Sequence, residues 1–150
     1  MSLKVFGITT MILCLVACGK VMTLDEGFDP KKLYENSFSN PVNDIENLQS
    51  GGFVWQETDI WIKFTGKQTI KLRDQNQYRL GSLAEKTWQR DWFIQELSKQ
   101  TGGISASDLQ SLKDLNHLQY FQYRSSSNVN KALLYNNRSQ TYYLRVWNHS

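Results

Sequence analysis

The 150-residue sequence predicts an α+β fold: an antiparallel sheet of about four to six strands, with two short N-terminal helices and one long central helix packed on it. Three observations carry that expectation. The runs "FVWQETDIWIKF" and "QTYYLRVWN" alternate with the two-residue period of a strand. Ser82 and Glu85 stand at the spacing of a capping box before a long helical period that ends at Gly102-Gly103. Asp29-Pro30 and Asn40-Pro41 repeat a helix-start signal, a capping residue followed by Pro at the first helical position.

The chain opens with "MSLK", carrying one positive charge, and then "VFGITTMILCLVA", thirteen residues without a formal charge. Thirteen helical residues reach only roughly 20 Å, short of the ~30 Å hydrocarbon core, so a stable membrane span is disfavoured. A charged start, a short apolar middle and a small residue near the end match the layout of a secretory signal peptide.

The run ends in Leu15-Val16-Ala17-Cys18, followed by Gly19. This resembles the lipobox of bacterial lipoproteins, with Leu three positions before an essential Cys and a small residue directly before it. The resemblance implies diacylation of the Cys18 thiol, cleavage between Ala17 and Cys18, and a third acyl chain on the new amino terminus. Two or three chains hold a protein on a bilayer stably, where one alone is marginal. Gly19 stands where an Asp commonly favours inner-membrane retention, so the resemblance points to the outer membrane. The expected organisation is then a signal peptide over 1–17, a lipidated Cys and tether over 18–28, and a single α+β domain over 29–150.

Within that domain, short helices are expected over Pro30 to Ser37 and Pro41 to Gln49, the second stopped by Gly51-Gly52. Phe53 to Phe64 reads as one strand, with Ile60, Ile62 and Phe64 toward the core. Thr65-Gly66-Lys67 would turn the chain into a partner strand over Gln68 to Arg73, and Tyr78 to Leu80 reads as a further short strand. The central helix is expected to run from Ser82 to Thr101. Leu83, Phe93, Ile94 and Leu97 form one apolar side, and Ala84, Trp88 and Trp92 a second at i, i+4, i+8. Two apolar sides suit a helix held between two layers, or one that presents an exposed Trp ridge. A short helix from about Ala106 to Leu115, capped by Ser105 or Ser107, precedes strands over His117 to Tyr123, Lys131 to Tyr135 and Gln140 to Asn148, the last two joined at Asn136-Asn137.

Processing at Cys18 would leave 133 residues without a free thiol, a size suited to one domain that relies on its core instead of disulfides. Five Trp, seven Tyr and six Phe in that portion supply an aromatic core. Charge is uneven: Gly19 to Trp61 carries a net −5 and Ile62 to Ser150 a net +7. A basic half suits anionic lipid or an acidic partner. Net charge of +2 in the processed chain, on an exported protein, disfavours nucleic acid as a partner.

Catalytic motifs are missing from the sequence. His117 and His149 lack helical ligand spacing, so neither a metal nor another cofactor is expected, and neither G-x-S-x-G nor a phosphate-binding loop occurs. Glu57 and Asp59 are two residues apart on a strand, a spacing near that of glycosidase acid pairs, yet neighbouring carboxylates on solvated strands are common. The expectation is therefore a protein that is not an enzyme. The stronger constellation is an aromatic strand face. Trp55, Glu57, Asp59, Trp61 and Lys63 share one side of their strand, and Tyr143, Arg145 and Trp147 join them if the two strands lie in one sheet. Rings stack on sugars and Trp, Tyr and Arg anchor protein interfaces. If a helix covers that face, the same rings are core. The functional expectation is a lipid-anchored envelope protein with a structural or binding role toward glycan or an envelope protein. The alternative is an inhibitor or immunity-type lipoprotein that blocks a hydrolase, toxin or conjugating donor.

Overall fold

The structure, a computed structural model, describes residues 28–54, 57–123 and 128–148. The expected signal peptide and lipobox, with Cys18, lie outside the described residues, as do Trp55 and His149. Among the described residues no helix is long and apolar enough to cross a membrane.

Asp29 opens α1 (Pro30–Ser37) by accepting the Lys31 N–H, with Pro at the first helical position. The second expected helix is replaced by a single 3-10 turn, Val42–Asp44, and then by strand β1 (Ile45–Val54). The apolar spacing of Val42, Ile45 and Leu48 is served in another way. A register shift between Glu46 and Gln49 and a left-handed Asn47, φ 56°, bulge the strand. Gly51 and Gly52 extend β1 where they were expected to stop a helix. A Cβ on Gly51 would lie 2.5 Å from the Trp61 indole, so only glycine lets that ring lie across the strand.

The run Phe53 to Phe64 is not one strand but spans a hairpin: β1 ends at Val54 and β2 covers Thr58–Gly66. Residues 68 to 73 do not form the expected partner strand. They cross the sheet as irregular chain, tied by an isolated bridge between Phe38 and Leu72 and by the Ile70 N–H donating to the Tyr142 hydroxyl at 3.0 Å. The place beside β2 is taken by β6 (Thr141–Asn148), seven of whose eight residues are buried. Such a strand is stable only at the centre of a sheet, covered on both faces.

The remaining elements are β3 (Tyr78–Leu80), α2 (Leu83–Ser98), α3 (Ala106–Lys113), β4 (Leu118–Tyr123) and β5 (Val129–Asn136). The capping box forms as its spacing dictates, Ser82 Oγ accepting from Glu85 N–H and Glu85 accepting from Ser82 N–H. The helix ends three residues before Thr101. Ser105 caps α3 by accepting the Asp108 N–H. Among the described residues the sheet has six strands, all antiparallel neighbours, in the order β1-β2-β6-β5-β4-β3.

Alternation along the strands sorts the core into two layers. Toward α1 lie Ile60, Ile62, Phe64, Leu133, Tyr142, Leu144 and Val146, closed by Tyr34, Phe38 and Ile70. Toward α2 and α3 lie Trp61, Leu118, Tyr120, Ala132, Leu134, Tyr143 and Trp147, closed by Phe93, Leu97 and Leu112. The central helix thus does not sit between the sheet and α1, which occupies the opposite face. Ala84 and Trp88 of its second apolar side face solvent, whereas Trp92 packs against the core.

Candidate binding site

The β2–β6 pairing brings the expected constellation together. Asp59 stands opposite Trp147, Trp61 opposite Arg145, and Lys63 opposite Tyr143, all on the face toward α2 and α3. The face is not an open platform. Trp61 is 1% exposed, and Lys63, Tyr143, Arg145 and Trp147 are buried with it, because α2 and α3 cover this side. The expected strand-face binding surface is therefore corrected for these residues: they are interior. Glu57 is exposed in the turn before β2, and Asp59 is engaged elsewhere, so the two do not form a facing acid pair.

Burial of charge on this face is compensated residue by residue. The Arg145 guanidinium grips Asp59 with two parallel bonds, Nε to Oδ1 at 2.8 Å and Nη2 to Oδ2 at 2.6 Å. Its plane is surrounded by indoles, with Cζ 3.8 Å from the Trp92 ring centre, 4.6 Å from Trp147 and 5.4 Å from Trp88. Nη1 is buried without an acceptor among the described residues. Trp92 in turn packs edge-on against Phe93, with centres 5.0 Å apart.

The helix residues of this cluster were legible as a ridge. Ala84 is exposed, Trp88 is 57% exposed and Trp92 is half-buried. The spacing at i, i+4, i+8 thus yields a gradient from surface to core. At the same end of the sheet Phe53, the strand partner of Asp59, is also 43% exposed. Arg145 therefore lies beneath a surface whose outer members are Trp88 and Phe53.

The other end of this face is polar. The Lys63 ammonium lies 2.6 Å from Asp108 of α3, and each side chain is 8% exposed. Asp108 also accepts from Ser105 Oγ at 2.7 Å and from the Tyr143 hydroxyl at 3.3 Å. Burial pushes the Tyr143 hydroxyl up, well above the ordinary tyrosine range, so it stays a donor. A cleft of about 460 Å³ opens here between β1, β2, the first turn of α3 and the β5–β6 turn. Sequence reasoning missed Asp108. Its signal is the Ser105-x-x-Asp108 spacing, which identifies a cap without showing that the Asp108 carboxylate also meets a lysine of β2.

Among the described residues there is no cluster of three or more His, Cys, Asp or Glu side chains placed to hold a metal. His117 instead bonds Asp114 through Nδ1 at 2.9 Å, closing the turn after α3. Comparison with family models, with curated proteins and with solved structures returns no match.

Proposed function

We propose that this chain is a lipid-anchored bacterial envelope protein with a non-catalytic binding role, meeting an envelope protein through the Trp88 ridge of α2. The observation that carries the reading is the exposure of Trp88 on a braced support. More than half of its surface faces solvent while its ring shares the Arg145 guanidinium with Trp92 and Trp147. A large aromatic held in place before binding loses little freedom on association, which is how Trp and Arg act as interface anchors. Phe53 widens the apolar surface at the same end. The Leu15-Val16-Ala17-Cys18 run supports a lipid anchor, and Gly19 directly after it supports placement at the outer membrane.

Two substitutions test the two halves of the reading. Cys18→Ser should move the protein from membrane to soluble or unprocessed fractions; membrane anchoring that persists unchanged contradicts the lipid anchor. Trp88→Ala should abolish capture of envelope proteins by the lipidated chain while leaving its melting temperature within about 2 °C. Capture that survives the change removes the ridge from consideration.

A further inference from the structure

The cleft at the Lys63–Asp108 end has chemistry that the Trp88 ridge does not share. Its volume of about 460 Å³ falls within the ~300–1,000 Å³ span of small-molecule sites. The ion pair contributes to its lining, and the exposed lining is made of amides and hydroxyls, with Asn47, Gln49, Thr65 and Ser107 among them. No aromatic or aliphatic side chain belongs to that lining.

Hydrogen-bonding capacity in the cleft is unevenly spent. Asp108 already serves Lys63, Ser105 and Tyr143, so its lone pairs are largely committed. Lys63 has three N–H donors and, among the described residues, only the Asp108 carboxylate as partner. The side chains of Asn47, Gln49 and Thr65 make no hydrogen bond to other described side chains or backbone, although Ser139 and Thr141 behind them are joined at 2.9 Å. The lining thus offers free donors and free acceptors together.

Backbone placement adds an independent observation. Among the described residues two non-glycine positions have positive φ, Asn47 at 56° and Gln140 at 52°. One lines the cleft and the other sits between its lining residues Ser139 and Thr141. Left-handed backbone costs a residue such as Gln free energy, and both occurrences border the same opening.

Charge selects the ligand class. Lys63 and Asp108 cancel formally, and an anion drawn to the ammonium would meet a carboxylate 2.6 Å from it. A neutral, polyhydroxylated molecule meets no such repulsion, accepting from Lys63 and exchanging bonds with the amides and hydroxyls of the rim. We propose that this cleft binds a neutral saccharide of one or two rings. With no ring to stack on, affinity is in the millimolar range.

The test follows the side-chain amide resonances of Asn47 and Gln49 by NMR in the full chain, held in micelles of a sugar-free zwitterionic detergent. Maltose and diacetylchitobiose are the neutral probes; galacturonate and inorganic phosphate are the anionic ones. A neutral disaccharide should shift both amides with millimolar affinity. The Gln49→Ala/Thr65→Val double variant should bind about thirtyfold more weakly at an unchanged melting temperature, as the loss of two hydrogen bonds near 1 kcal/mol each implies. Trp88→Ala should leave the titration unaffected, which separates this site from the protein-binding ridge. The inference is overturned if neither neutral probe moves these signals up to tens of millimolar, or if galacturonate or phosphate binds more tightly than both.

Discussion

The two faces of the sheet solve burial in different ways. Against α1 the interior is continuous apolar and aromatic packing: Phe64 stacks on Tyr142 with ring centres 4.9 Å apart, and Tyr34 and Phe38 close around them. The Tyr142 hydroxyl accepts the Ile70 N–H, which satisfies the crossing segment. Against α2 and α3 the same strands bury Lys63 and Arg145, each neutralised by an Asp and the second also enclosed by indoles. Apolar area stabilises the first face without regard to partner identity. The second holds its charges only while each partner is present, so it specifies which helix residue stands where. Both candidate surfaces, the Trp88 ridge and the polar cleft, belong to this second face.

Removing large rings from the two faces should have the largest effect. Phe64→Ala and Trp61→Ala are each expected to cost about 3–5 kcal/mol in denaturant unfolding, since both side chains are fully enclosed. A loss below about 1 kcal/mol for Trp61→Ala would mean that its face is open after all, reversing the contrast.

The ion pair gives the sharper distinction. Lys63→Met strands the Asp108 carboxylate and should cost about 3 kcal/mol, whereas Lys63→Met/Asp108→Leu should recover most of that loss. A double-mutant cycle by urea denaturation measures the difference. Additive losses would show that the pair is not coupled.

A smaller effect marks the rim between the faces and solvent. The bidentate Arg79 and the Ser82 N–H hold the Glu85 carboxyl down from its ordinary 4.5 to about 2. A depressed carboxylate contributes stability that is present above its unfolded value and is lost as pH falls through the folded one. Melting temperature should therefore decline between pH 4.5 and about 2, and Glu85→Gln should flatten part of that decline. Both partners are about one third exposed, so solvent screening keeps the change at pH 7 small. An unaltered acid profile in the variant would assign the decline to other carboxylates.

Much of the sheet was legible because strand alternation is local. In β2 and β6 the parity of Ile60, Ile62 and Phe64 against Asp59, Trp61 and Lys63, and of Tyr142, Leu144 and Val146 against Tyr143, Arg145 and Trp147, follows from the two-residue period alone. The same holds for α1 and for the Ser82–Glu85 box, where the capping atoms lie within one turn of the residues they cap. The second N-terminal helix failed on non-local grounds. Pro41 to Gln49 had helix-like spacing and a glycine stop, but Gly51 is needed as the seat of the Trp61 ring, which belongs to the next strand.

By itself the sequence determined the mixed α+β composition, the two sides of the central strands, the capped starts of α1 and α2, and the shared orientation of the aromatic and charged residues. Each depends on intervals of two to four residues, the range over which backbone geometry alone relates side chains. Tertiary structure decided that β6 pairs with β2, that α1 and α2 lie on opposite faces, and that Asp108 reaches Lys63. These contacts join segments 45 to 90 residues apart in the chain, where the choice rests on which apolar faces and which charges find partners when the whole domain packs.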